Sequence, residues 1–210
     1  MTTFIFIRHG ESEANEQRRF AGFWDINLSE KGKRQAALTA QYVFENYKVD
    51  EIYSSDLKRA YSTAEPLAKL LKKSIHKEEM LREISAGEWE GVLFDELGVR
   101  YKEDYRLWRE NIGNSRCSGG ESVRELSERI WNSVSKIEQE NTGKTVAVVS
   151  HATPIRTLLS RCKGVDIKDL GWVSNASVTV ITCDKGVWTV VAESIDKHLS
   201  TLKTELPKNV

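Results

Sequence analysis

The stretch Phe4-Ile5-Phe6-Ile7-Arg8-His9-Gly10 runs four apolar residues straight into an arginine and a histidine. Its counterpart further along the chain is Val146-Ala147-Val148-Val149-Ser150-His151-Ala152-Thr153-Pro154. Residues 3 to 7 are β-branched and aromatic without polar alternation, which predicts a strand buried on both faces, as in a sheet covered by helices. Each imidazole then stands just past the C-terminal end of a strand. In open α/β sheets ligands bind in the crevice outside the strand C-termini, and helix N-termini opening there favour anions. The two histidines therefore mark an expected anion site, with phosphate as the leading candidate.

Outward from this stretch, residues Arg8 to Leu28 read as a loop, and Ser29 offers an N-cap for a helix from Glu30 to about Tyr47. Ala36, Ala37, Ala40, Val43, Phe44 and Tyr47 recur at helical spacing, which predicts that this helix lies on the sheet. Glu51-Ile52-Tyr53 is a short strand ending at Ser54-Ser55. Asp56 is then expected to cap a helix carrying Arg59, Ala60, Ala64, Leu67, Leu70 and Leu71, a third strand-to-helix junction bearing a basic residue. Ser74-Ile75-His76 forms one more short strand.

From about 92 to 121 the pattern changes: Tyr101, Tyr105 and Trp108 stand among Arg100, Lys102, Arg106 and Arg109. This reads as a helical insert capping the site, its aromatics packing on the core and its arginines forming a solvated face. Gly119-Gly120 is expected to be a flexible turn, and Ser122 to Glu125 has capping-box spacing before a helix through Val134 and Ile137, with Glu121 and Ser122 serving capping alone. Pro154 suits the first turn of a helix continued by Ile155, Leu158 and Leu159. Val178 to Thr182 and Val187 to Val191 flank Asp184-Lys185-Gly186 as an antiparallel hairpin at a sheet edge. His76 and His198 read as surface residues, Trp24 as either an entrance residue or a loop anchor, and the polar tail after His198 as frayed. The expected architecture is α/β: one domain over residues 1–210, a three-layer sandwich with a mostly parallel sheet and one antiparallel edge strand. Helices cover both faces, and the insert lies over the C-terminal edge of the sheet.

The 210 residues carry 31 Lys plus Arg and 31 Asp plus Glu, a net charge of zero. No overall field draws such a chain to nucleic acid or anionic lipid, so any anion site is local. No apolar run approaches a membrane span and no secretory signal opens the chain, which predicts a cytoplasmic protein. Cys117, Cys162 and Cys183 lack metal-ligand spacing and read as reduced thiols, with no metal and no cofactor expected.

Phosphoryl transfer needs neutralised oxygens around phosphorus, an in-line nucleophile and a proton for the leaving oxygen. Strand ends supply Arg8, His9, Arg59 and His151. Arginine binds phosphate oxygens bidentately and stays charged, and a neutral imidazole can attack phosphorus to give a phosphohistidine. Nearby arginines disfavour imidazolium and keep the attacking ring neutral. Taken singly, a histidine after a strand is more often a structural group, and these residues alone do not say which histidine attacks or which carboxyl gives the proton.

The ordered set Arg8-His9-Gly10-Glu11-Ser12-Glu13-Ala14-Asn15, Gly22-Phe23-Trp24-Asp25, Leu28-Ser29, Gly32, Ser55-Asp56-Leu57-Lys58-Arg59-Ala60, Leu81-Arg82-Glu83, Gly87-Glu88-Trp89-Glu90-Gly91, Gly119-Gly120-Glu121-Ser122 and Ser150-His151 resembles the histidine phosphatase, or phosphoglycerate mutase-like, superfamily over nearly the whole chain. The resemblance implies that His9 is the residue phosphorylated and that Arg8, Arg59 and His151 complete the phosphate pocket. It implies further that Glu83 is the proton donor and then the base for water. Asn15 is implied as a further phosphate contact, and backbone near Gly22 as a substrate neighbour. Cofactor-dependent mutases of the family carry a Glu-Arg-His-Tyr-Gly type segment where this chain has Gly87-Glu88-Trp89-Glu90-Gly91, which looks like the phosphatase branches.

The expectation is thus a metal-independent phosphatase of small phosphate monoesters, acting on a phosphorylated metabolite, with a homodimer through the edge hairpin as one possible assembly. Two alternatives stand beside it. One is mutase-type transfer, which needs further basic contacts such as Arg100, Arg106, Arg109 or Arg116; the other is a non-catalytic module that binds phosphorylated ligands.

Overall fold

Strand residues that alternate between two apolar neighbourhoods explain the layering. In β1 (Thr2–Arg8) and β4 (Thr145–Ser150), Phe4, Phe6, Val146 and Val148 face one core, while Ile5, Ile7, Ala147 and Val149 face the other. With both faces buried, the sheet must carry helices on each side. A computed structural model of the chain describes residues 1–205. The remaining strands are β2 (Glu51–Ser54), β3 (Ile75–Lys77), β5 (Val178–Asp184) and β6 (Val187–Ile195), and the sheet order is β3-β2-β4-β1-β5-β6. Four strands are parallel, and β5 runs against them beside β1, with β6 turning back on the edge. Lys185 and Gly186 both adopt positive φ in the two-residue turn between β5 and β6, which matches the twist of a tight hairpin.

Helices α2 (Glu30–Asn46) and α3 (Lys58–Leu71) cover the face bearing Ile5 and Ile7. Helices α6 (Val123–Glu140) and α7 (Ala152–Lys163) cover the face bearing Phe4 and Phe6. The insert forms α4 (Phe94–Arg100) and α5 (Lys102–Glu110). Its Leu97, Tyr105 and Trp108 join the second core beside Phe20 and Trp89, so the expected packing role holds. The capping box at Ser122 and Glu125 is present.

Several local expectations are corrected. A short helix, α1 (Glu13–Glu16), lies inside the expected loop, closed by a Ser12–Asn15 capping box; four residues are too few to show a helical period. Ala37 and Phe44 face outward, and the buried stripe of α2 is Gly32, Gln35, Ala36, Thr39, Ala40 and Val43. Asp56 does not cap α3, whose N-cap is Leu57; its carboxylate receives Arg82 Nε at 2.7 Å instead. His198 is half-buried, stacked on Tyr42 and bonded to Thr39. Nor is the tail free as far as 205: Leu199 is buried, Gln35 Nε2 donates to the Leu202 carbonyl, and Thr204 Oγ1 donates to Glu11. Residues 206–210 of the expected frayed tail lie outside the described residues.

Gly119-Gly120 is a close-packed crossing rather than a flexible turn. A Cβ on Gly120 would stand 2.3 Å from the Ser85 carbonyl oxygen, and one on Gly87, at φ +55°, 2.5 Å from Gly119. Glu121 has its own partners, accepting from Ser85 N at 3.2 Å and from Arg129 at 2.8 Å, so capping falls to Ser122. Among the described residues no helix is long and apolar enough to cross a membrane.

Candidate active site

The parallel pairing of β1 with β4 sets Arg8 opposite Ser150, so the residues that follow, His9 and His151, leave the sheet side by side. Their rings are 5.0 Å apart in an edge-to-face arrangement, and both histidines are buried. A cavity of about 60 Å³ opens at this edge, lined by Arg8, His9, Asn15, Gly22, Arg59 and Glu83 among others. Every expected site residue is brought together here, with His151 just behind His9.

His9 Nδ1 lies 2.7 Å from the Gly10 carbonyl oxygen. A carbonyl only accepts, so this bond assigns the proton to Nδ1 and leaves a lone pair on Nε2. Burial, then the charges of Arg59 and Arg8, hold His9 well below the ordinary histidine range, and burial with Arg59 does the same to His151. Both imidazoles are therefore neutral at physiological pH. His151 Nε2 is 2.9 Å from Ser55 Oγ, which fixes the ring from the end of β2.

Arg59 stands in the first turn of α3 with no exposed surface. Its Nη2 donates to the Gly22 carbonyl at 2.7 Å and its Nη1 to the Trp24 carbonyl at 3.0 Å. Gly22 earns its place twice: its φ of +52° suits glycine, and a Cβ there would stand 2.5 Å from that of Ala86. Arg8 Nη1 donates to the Val173 carbonyl at 2.6 Å. Burial pushes both guanidiniums down to about 10, with Glu83 acting in the opposite sense, so both remain charged. Among the described residues Arg8 Nε, Arg59 Nε and His151 Nδ1 are buried without a hydrogen-bond partner. A buried donor left unmade costs about 1–3 kcal/mol, and donors and charges grouped in this way fit an anion with several acceptor oxygens.

Asn15 Oδ1 receives Ser12 N at 3.0 Å and Asn175 Nδ2 at 3.1 Å. With its oxygen so engaged, the amide turns its N–H₂ group to the remaining direction, and Asn15 lines the cavity. Glu83 Oε1 accepts from Ile84 N at 2.9 Å. Its segment is held by Arg129, which donates to the carbonyls of Met80 at 2.8 Å, Arg82 at 3.1 Å and Glu83 at 3.0 Å, and pairs with Glu121.

Sequence reasoning missed Arg129, Asn175 and Trp172. Asn175 donates to the His9 carbonyl as well as to Asn15, and Trp172 lines the cavity beneath the Arg8 guanidinium, 5.7 Å from its ring centroid. A buried asparagine and a half-buried tryptophan in an irregular segment obey no period, so only the fold reveals them. Trp108 walls the cavity as well as packing. Trp24 is exposed and not among the cavity-lining residues, and its backbone carbonyl accepts from Arg59. Arg100, Arg106 and Arg116 pair with Glu96, with Glu103 and Glu110, and with Glu125, as the solvated-face reading expects.

A basic crevice with two neutral histidines suits the handling of phosphate. The family model described as histidine phosphatase superfamily (branch 1) matches residues 4–196, and the chain belongs to that superfamily and to its phosphomonoesterases. It is 35% identical over 213 residues to phosphoserine phosphatase 1 of Hydrogenobacter thermophilus, covering 100% of both chains. Among solved structures it resembles YhfR of Bacillus stearothermophilus, with a TM-score of 0.90, 29% identity, and coverage of 95% of this chain and 100% of that one. It also resembles a histidine-to-alanine mutant of phosphoserine phosphatase from Entamoeba histolytica in complex with phosphoserine, with a TM-score of 0.82, 30% identity, and the same coverage.

Proposed function

We propose that the protein hydrolyses small phosphate monoesters without a metal, through a phosphohistidine on His9. The observation that carries this reading is the tautomer of His9: Nδ1 is bonded to the Gly10 carbonyl, so a neutral ring presents Nε2 as the nucleophile. In the first step the Nε2 lone pair attacks phosphorus and the bond from phosphorus to the ester oxygen breaks. Arg8 and Arg59 neutralise the phosphoryl oxygens, and the amide of Asn15 and Nδ1 of His151 serve as further donors.

Glu83 lines the cavity with these groups and is the acid in this reading. In that role the Glu83 carboxyl donates its proton as the ester bond breaks. That proton passes to the departing alkoxide. In the second step the Glu83 carboxylate takes a proton from water, which attacks the phosphohistidine and releases inorganic phosphate with His9 neutral again.

Of the four arginines that mutase-type transfer would call on, Arg100, Arg106 and Arg116 are engaged by glutamates, which favours hydrolysis, and Arg109 lines a neighbouring cleft instead of the His9 cavity. Phosphoserine is a reasonable first substrate on the strength of the relatives from Hydrogenobacter and Entamoeba. The test is release of phosphate from 4-nitrophenyl phosphate and from phosphoserine in excess chelator, by wild type and by His9→Ala. Chelator-resistant release that vanishes in the variant is expected, with a label from ³²P-substrate trapped on wild type alone. Chelator-sensitive release, or activity that survives the substitution, would exclude the reading.

A further inference from the structure

A second cleft, of about 270 Å³, lies against the outer wall of the active-site cavity. Trp108 and Trp172 line both spaces, so the two are neighbours across a pair of indoles. The second cleft carries Arg109 from α5, Arg156 from α7 and Lys168 from the short turn at Ile167–Asp169, and no acidic residue lines it among the described residues.

Arg156 is a built feature. It is 6% exposed, its Nη2 donates to the Ile167 and Leu170 carbonyls, and its guanidinium lies 5.0 Å over the Trp172 ring. Its Nε is buried without a hydrogen-bond partner, and the carboxylate whose charge it feels, Glu83, lines the catalytic cavity rather than the cleft. Lys168 has one carboxylate nearby, Asp166 at 3.9 Å. A buried, unpaired guanidinium is costly and is best relieved by an oxyanion. Trp172 thus has two guanidiniums over its ring, Arg8 at 5.7 Å, which lines the catalytic cavity, and Arg156 at 5.0 Å, which lines the cleft.

We propose that this cleft seats a second anionic group, carboxylate or phosphate, belonging to an elongated phosphate monoester whose reacting phosphate lies at His9. The inference rests on the phosphatase reading for the first site and extends it to substrate class. Because the two spaces are distinct and meet at Trp108 and Trp172, the second anion stands several bonds from the ester; a compact substrate such as phosphoserine does not reach it.

The experiment measures binding to His9→Ala protein by calorimetry. The ligands are three series of rising chain length: alkyl phosphates, ω-carboxyalkyl phosphates and α,ω-alkane bisphosphates. Above a threshold length the doubly anionic ligands are expected to bind about tenfold more tightly than the alkyl phosphates, and Arg109→Ala with Lys168→Ala to remove that preference. The stronger of the two anionic series assigns the second group as carboxylate or phosphate. A preference independent of length, one that survives the double substitution, or no binding by any series would overturn the proposal. Wild-type turnover of 4-nitrophenyl phosphate separates the two readings. Binding preference without turnover removes the phosphatase and keeps the cleft, whereas turnover without preference does the reverse.

Discussion

The two halves of this site are built on different principles. Arg8, His9, Arg59 and His151 stand where regular elements end, and their relative positions follow from the β1–β4 register and the first turn of α3. Glu83, Asn15, Trp172 and Asn175 lie outside the strands and the longer helices, on segments fastened by side chains: Arg129 to the carbonyls of Met80, Arg82 and Glu83, and Asn175 to Asn15 and His9. The sheet half is fixed by a cooperative ladder that few substitutions can shift. The fastened half depends on single residues, so it can be displaced without unfolding the protein.

The largest expected effect falls on the sheet half. His9→Ala is expected to lower turnover of any monoester by at least about 10³-fold, with an unchanged far-ultraviolet spectrum and a cooperative melt. Turnover within tenfold of wild type would mean that the ladder-placed histidine is structural. Glu83→Gln tests the other half. The loss is expected to be about 10²-fold for an alkyl phosphate, whose leaving alkoxide needs a proton, and far smaller for 4-nitrophenyl phosphate. Equal losses for both leaving groups would remove Glu83 as the acid.

Arg129→Met sharpens the comparison, because it loosens the fastened half while leaving every sheet residue in place. It deprives three carbonyls and Glu121 of their partner, at a cost in stability of about 1–3 kcal/mol. As a positioning residue it is expected to reproduce the leaving-group dependence of Glu83→Gln in weaker form, about tenfold in kcat for the alkyl phosphate with little change in KM. A purely structural role would lower the melting temperature and leave the ratio between the two substrates untouched.

What the sequence disclosed follows the same division. Strand-period and helix-period patterns exposed the sheet, the covering helices and the ends at which Arg8, His9, Arg59 and His151 collect, because those patterns are imposed by burial. Glu83 was reached only by resemblance, since one glutamate among many has no period to mark it, and Arg129, Asn175 and Trp172 were missed for the same reason. Asp56 misled the capping assignment because its pattern suits an N-cap equally well, and only the fold shows that Arg82 takes the carboxylate. Gly119-Gly120 misled in the opposite sense: a glycine pair reads as freedom, whereas here it serves close backbone packing against Ser85 and Gly87.

The smallest expected effect is a pH dependence, and it arises in the sheet half. His9 and His151 lie well below their ordinary value of 6.5 in the folded protein, chiefly through burial and then Arg59. Below about pH 6.5 the unfolded chain takes up protons that these buried rings refuse, so the unfolded state binds more protons and stability falls as the pH drops from there. Above that pH the two states bind alike at these sites and the term vanishes. Chemical denaturation at pH 7.5 and 5.0 is therefore expected to show an acid-side loss in wild type that shrinks in His9→Ala, while Arg129→Met keeps it in full. An acid loss of the same size in His9→Ala would mean that the histidine accepts a proton in the folded state, and the neutral nucleophile of the proposed mechanism would go with it.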